Sequence, residues 1–87
     1  MAWVCYLLEC ADGTLYTGIS NDLPRRLVQH GRGVASKYTR TRLPVRLRYA
    51  EKHPTRSSAL RREAAIKRLP RARKLALCRR RRRPRAP

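Results

Sequence analysis

The stretch Val4-Cys5-Tyr6-Leu7-Leu8-Glu9-Cys10-Ala11-Asp12-Gly13-Thr14-Leu15-Tyr16-Thr17-Gly18-Ile19, continued by Ser20-Asn21-Asp22-Leu23-Pro24-Arg25-Arg26-Leu27-Val28-Gln29-His30, decides the fold. Two short apolar runs, residues 4–8 and 15–19, flank Ala11-Asp12-Gly13-Thr14. Such runs on either side of an Asp-Gly turn read as a β-hairpin. On the first strand Trp3, Cys5, Leu7 and Glu9 point one way, and Val4, Tyr6, Leu8 and Cys10 the other. On the second, Tyr16 and Gly18 share a face. Asp22 suits an N-cap with Pro24 in the first turn of the helix that follows. Leu23 and Leu27 define its buried stripe, which Arg26 and His30 flank. Arg25 and Gln29 turn outward, and Gly31 or Gly33 ends the helix.

Outward from this stretch, charge dominates. The 87 residues carry 23 Lys and Arg against 5 Asp and Glu, a net charge of +18. Self-repulsion on that scale opposes compaction, and a polyanionic partner relieves it, so nucleic acid is the expected partner. No apolar run approaches the ~18 residues of a membrane span. The N-terminal apolar run has no basic stretch before it and is interrupted by Glu9, unlike a signal peptide. Cys5, Cys10 and Cys78 match no zinc spacing and read as reduced thiols, as expected of a cytoplasmic, nucleoid-associated protein.

Residues 34–44 form a polar, basic connection with room for one helical turn, in which Lys37, Arg40 and Arg42 interleave with Tyr38. In the third strand, from Val45 to Glu51, Val45, Leu47 and Tyr49 face the core, and Arg46 and Arg48 face solvent. Thr55 N-caps a second helix that runs to Leu69 and is broken by Pro70. A third helix is expected over 71–78. Thirteen of the basic residues follow residue 60. The run Arg79 to Arg83 reads as the start of a disordered tail over 79–87, leaving one domain over 1–78. The expected architecture is α+β, a small three-stranded antiparallel sheet flanked by helices in the order β-β-α-β-α-α.

The scarcity of carboxylates narrows the chemistry. Asp12 belongs to a turn and Asp22 to a cap, while Glu9 and Glu51 sit near strand ends. Glu63 falls in the middle of the second helix's apolar stripe at ~100° per residue. An acid there needs a partner, either an ion pair with Arg26 or Lys67 or a metal ion, unless the edge of the stripe is simply exposed. One carboxylate suits Mg²⁺, which keeps most of its waters. This chain has too few acids for a carboxylate-rich two-metal cluster.

Taken together, these residues closely resemble the GIY-YIG endonuclease domain over roughly residues 4–77, especially its small stand-alone bacterial members. The second signature triplet appears as Tyr16-Thr17-Gly18. The first, Val4-Cys5-Tyr6, keeps only its tyrosine. Asp22 to His30 is similar to the family's catalytic helix, and Ser57 to Leu69 to its metal-binding helix. The resemblance implies phosphodiester hydrolysis assisted by one Mg²⁺ or Mn²⁺. By position, it implies Tyr6 as general base or water-positioning hydroxyl and Tyr16 as hydrogen-bond donor to water or phosphate. It further implies Arg26 on the scissile phosphate, His30 for proton transfer or phosphate contact, and Glu63 as metal ligand. Arg25, Lys37, Arg40, Arg42 and Lys67 are the expected nucleic-acid contacts, with Gly18 leaving space for the phosphate backbone beside Tyr16.

The function expected is therefore a metal-dependent DNA endonuclease, monomeric, acting in repair, recombination or the processing of branched or nicked structures. The alternative is a non-catalytic, basic nucleic-acid-binding protein on the same fold. The family's nucleases often gain specificity from an attached domain. In this sequence the basic tail and the 34–44 connection are the expected substitutes.

Overall fold

Strand β1 (Trp3–Glu9) sits in the middle of the sheet and is covered on both faces. A computed structural model describes residues 2–82. β1 is followed by β2 (Leu15–Ser20), α1 (Leu23–Gly31), a one-turn α2 (Lys37–Arg40), β3 (Arg46–His53), α3 (Arg56–Lys67) and α4 (Arg71–Arg82). The sheet is antiparallel with strand order β2-β1-β3, and the α+β architecture expected from the sequence is the one observed. Among the described residues no helix is long and apolar enough to cross a membrane.

The hairpin turn forms as its residues dictate. Asp12 Oδ1 accepts from the Thr14 amide at 3.1 Å, and Gly13 adopts φ +84, a conformation that disfavours a β-carbon. On one face of β1, Cys5 and Leu7 pack against Ile66 of α3 and Cys78 of α4, with Ile19, Tyr49, Leu69 and Leu77 around them. Fully burying an aliphatic side chain such as Ile66 contributes about 1.5–3 kcal/mol. On the other face, Tyr6 and Leu8 are buried, with His30 against Tyr6 and Thr39 behind His30. Thr55 N-caps α3 as its sequence predicts, accepting from the Ser58 amide.

Three expectations give way. The alternation read into the third strand fails at a bulge, because Leu7 pairs with Tyr49 but Leu8 pairs with Leu47. Arg48 is the extra residue, and the inserted position reverses the pleat. Leu47 is consequently exposed, whereas Arg48 turns inward and ion-pairs with Glu9. Secondly, α4 runs to Arg82, four residues into the stretch expected as a disordered tail. The remainder of that stretch, 83–87, lies outside the described residues. Thirdly, the space above Gly18 is not open. A β-carbon on Gly18 would stand 2.7 Å from the Tyr6 hydroxyl and 2.8 Å from Tyr6 Cζ. Gly18 faces Tyr6 across the ladder and makes room for its ring, not for a phosphate.

Gly18→Ala is expected to lower stability by about 1–3 kcal/mol through overpacking against Tyr6. Urea denaturation measures the loss, and an unchanged midpoint would disprove the steric role.

Candidate active site

Helix α1 is launched by a pair of side-chain caps. Ser20 Oγ accepts from the Asp22 amide at 2.9 Å, and Asp22 Oδ1 accepts from the Arg25 amide at 3.2 Å. Pro24 fills the first turn, where its missing N–H costs nothing. Arg32 caps the other end, and Gly33 (φ +77) carries the chain away. Leu23 and Leu27 are only half-buried, and His30 is the fully buried residue of the helix.

His30 Nε2 lies 2.9 Å from Tyr6 Oη, and Nδ1 lies 3.0 Å from Thr39 Oγ1. Tyr6 is 1% exposed, and His30 and Thr39 are 0% exposed. Tyr16 meets the His30 ring edge-on at 5.4 Å and stacks on Tyr38 at 5.9 Å. The Arg42 guanidinium covers Tyr38 at 4.0 Å. Both strand tyrosines therefore converge on one imidazole. The His30 ring is sealed between Tyr6 and Thr39 and reaches the surface only through its neighbours. Burial pushes the Tyr6 hydroxyl up to about 12, against an opposing pull from Arg26. Burial, assisted by the positive charge of Arg26, holds His30 below its ordinary 6.5.

Arg26 lies on the wall of an open groove of about 530 Å³ that Trp3, Ser20, Asn21, Arg25 and Gln29 also line. Gln29 does not turn away as expected, since its Oε1 accepts from Arg26 Nη1 at 3.3 Å. Arg26 Nε is buried with no partner. Because Nε is sealed, an anion in the groove would meet only the outer nitrogens of the guanidinium.

The other basic candidates separate. Arg25 is exposed and shares the Arg26 groove. Lys37 and Arg40 line a different hollow beside Gly33 and Val34. Arg42 is engaged internally, donating to Asp12 Oδ2 at 3.0 Å and to the Tyr38 carbonyl at 2.8 Å. Lys67 reaches Glu63 Oε2 at 3.6 Å. Glu63 is half-buried on α3, and its negative charge contributes to raising both Tyr6 and Cys5, so it acts on both faces of β1.

Residues 2–76 match the model of the GIY-YIG catalytic domain. The chain belongs to the GIY-YIG family. A UPF0213 protein of Xanthomonas axonopodis pv. citri is 53% identical over 74 residues, covering 85% of this chain and 72% of its own. A UPF0213 protein of Halobacterium salinarum is 51% identical over 72 residues, covering 83% and 94%. Two solution NMR structures share the fold. The UPF0213 protein of Bacillus halodurans has a TM-score of 0.56 at 42% identity and covers 88% of this chain and 82% of that one. A protein of E. faecalis has a TM-score of 0.59 at 41% identity, with 85% and 79% covered. GIY-YIG domains form a nuclease-type family whose enzymes act on nucleic acid.

Glu63 stands apart from other acids and imidazoles. Among the described residues no group of three His, Cys, Asp or Glu side chains could enclose an ion. Glu63 could supply one carboxylate ligand to a hydrated hard cation, against the repulsion of the Lys67 ammonium 3.6 Å away.

The GIY-YIG motif residues left one cluster unannounced. Glu51, read from sequence as an acid near a strand end, is only 20% exposed and is held by hydrogen-bonding partners from β3 and α3. Tyr49 donates to Oε1, His53 Nε2 lies 2.6 Å from Oε2, and Arg62 Nε lies 2.9 Å from the same oxygen. Ser58 Oγ completes the cluster at 2.7 Å from His53 Nδ1. The alternation Tyr49-Glu51-His53 on one strand face is legible in the sequence, but the Arg62 and Ser58 partners are tertiary.

Burial raises Glu51, but the hydrogen bonds from Tyr49, His53 and Arg62 outweigh it and leave the carboxyl below its ordinary 4.5. Its contribution to stability is therefore complete above about 4.5 and is lost as pH falls through the folded value. Glu51→Gln is expected to flatten that acid-side slope and to cost about 1–3 kcal/mol at pH 7. Thermal unfolding between pH 3 and 7 reads both effects.

Proposed function

We propose that this protein is a GIY-YIG nuclease that hydrolyses phosphodiester bonds in DNA, with branched or nicked molecules as substrates and one Mg²⁺ or Mn²⁺ as cofactor. The carrying observation is the 2.9 Å contact between Tyr6 Oη and His30 Nε2, made beside Arg26 and within the field of Glu63.

In this reading Arg26, whose side chain lines the open groove, binds the scissile phosphate and offsets charge in the transition state. Arg25 contributes to the same wall. Tyr16, half-buried where Tyr6 is sealed, presents its hydroxyl to the attacking water or to the phosphate. Tyr6 and His30 form the proton-accepting pair behind them. His30 is neutral at pH 7 because burial and Arg26 disfavour its charged form. As the water oxygen bonds to phosphorus, the water's proton passes to Tyr6 Oη while the Tyr6 proton passes to His30 Nε2, leaving an imidazolium that solvent later deprotonates. The bond to the leaving oxygen breaks, and solvent protonates that oxygen. Glu63 would hold the divalent ion, which polarises the phosphate when bound. Lys67 must release Glu63 for that to happen.

The Glu63–Lys67 contact also favours a second reading, a basic protein that binds nucleic acid without turnover. Such a protein would bind with a steep salt dependence and cleave under no divalent ion.

Nicking assays on branched, nicked and single-stranded DNA with Mg²⁺ or Mn²⁺ separate the two. Cleavage is expected, with Arg26→Ala reducing it by about a hundredfold or more and Glu63→Ala abolishing it. Undiminished cleavage by Glu63→Ala would overturn the metal assignment. The acid limb of kcat is expected below pH 6.5, because the rate falls only as Nε2 becomes protonated and His30 titrates below that value.

A further inference from the structure

We propose that Thr39 is a positioning residue, whose hydroxyl holds His30 in the tautomer that leaves Nε2 free to accept the Tyr6 proton. The inference rests on the nuclease reading for its consequence, but not for its geometry.

A neutral imidazole has one N–H and one acceptor nitrogen, and its neighbours decide which is which. Both ring nitrogens of His30 meet hydroxyls, Tyr6 Oη at 2.9 Å and Thr39 Oγ1 at 3.0 Å. A hydroxyl can donate or accept, so those two contacts alone permit either tautomer. The third contact breaks the symmetry. Thr39 Oγ1 also lies 3.4 Å from the Ser36 carbonyl, which can only accept. Thr39 has one proton, and it goes to Ser36. Its oxygen then accepts from Nδ1–H, and Nε2 is left as the acceptor for the Tyr6 hydroxyl. The result is a single directed chain from Tyr6 through His30 and Thr39 to the Ser36 carbonyl.

The local fold is built to hold Thr39 there. Ser36 N-caps α2 with an extended backbone (φ −155, ψ 138), and its hydroxyl accepts from the amides of Tyr38 and Thr39. The Ser36 carbonyl also accepts from the Arg40 amide at 3.0 Å, which uses its other lone pair and fixes its direction. Tyr38, next to Thr39, is clamped between Tyr16 and Arg42. Thr39 itself is 0% exposed. The single turn of helix thus converts a loop into a rigid backing for an imidazole on another helix.

The test uses the full chain labelled with ¹⁵N. His53→Gln leaves His30 as the one imidazole to observe. Long-range ¹H–¹⁵N spectra at neutral pH are expected to show Nδ1 protonated and Nε2 bare. Thr39→Val, close in shape, is expected to release the ring toward the Nε2–H form, and Thr39→Ser to restore Nδ1–H. In cleavage assays without the His53 change, Thr39→Val should lower kcat by about tenfold or more at unchanged KM, with Thr39→Ser close to the parent. A parent protein already in the Nε2–H tautomer would overturn the proposal, even if Thr39→Val failed to fold. So would a folded Thr39→Val with both tautomer and kcat unaltered. Absence of cleavage by the parent protein would defeat the nuclease reading, while the tautomer spectra would still decide the role of Thr39.

Discussion

The central strand has no solvent face, and most of the structure follows from that constraint. β1 is paired on both edges and buried on both faces. One face is covered by α3 and α4, which pack against Cys5 and Leu7 through Ile66 and Cys78. The other face carries a tyrosine, and a buried hydroxyl requires a partner. That requirement draws His30 inward from α1, His30 in turn requires Thr39, and Thr39 ties α2 into the fold. The glycine opposite Tyr6 is the steric counterpart of the same choice.

Electrostatics follows a similar logic of scarcity. All five carboxylates are engaged. Glu9 meets Arg46 and Arg48, Asp12 meets Arg42, Asp22 caps α1, Glu51 fastens β3 to α3, and Glu63 meets Lys67. Folding thus uses up the internal anions without approaching neutrality at +18. Of these contacts, Glu63–Lys67 is the longest ion pair and has the most exposed cation after the Arg46 pair, so it is among the easier ones to open.

Much of this was legible in the chain. The Asp-Gly turn, the Asp22 and Thr55 caps and the alternation of β1 each rest on local chemistry, and each reads directly from neighbouring residues. Tyr6, Tyr16, Arg26 and His30 stand out through the family resemblance, whereas helix periodicity alone sets His30 beside a leucine stripe and not at the buried centre it occupies. What was not legible depends on tertiary register. The bulge at Arg48 inverts a strand that alternates well on paper, and no local signal announces it. Glu51 looked like a strand-end acid because its Arg62 and Ser58 partners arrive from another helix. Thr39 was hidden in a stretch read for its positive charge, although Ser36 before it carries an N-cap signal. The basic residues were the least readable, since charge alone does not distinguish Arg26 on a groove from Arg42 bound to Asp12.

The two-sided burial of β1 also bears on how such a domain can change over time. Odd-numbered positions such as Cys5 and Leu7 touch the helical core, and even-numbered Tyr6 touches the His30 network. Drift at the odd positions alters packing while sparing the polar network, so the interior can be rebuilt piecemeal. The even side offers no such freedom, because the ring of Tyr6 is matched to an absent side chain on one strand and to an imidazole on a helix. The domain therefore contains a plastic half and a frozen half separated by one thickness of backbone.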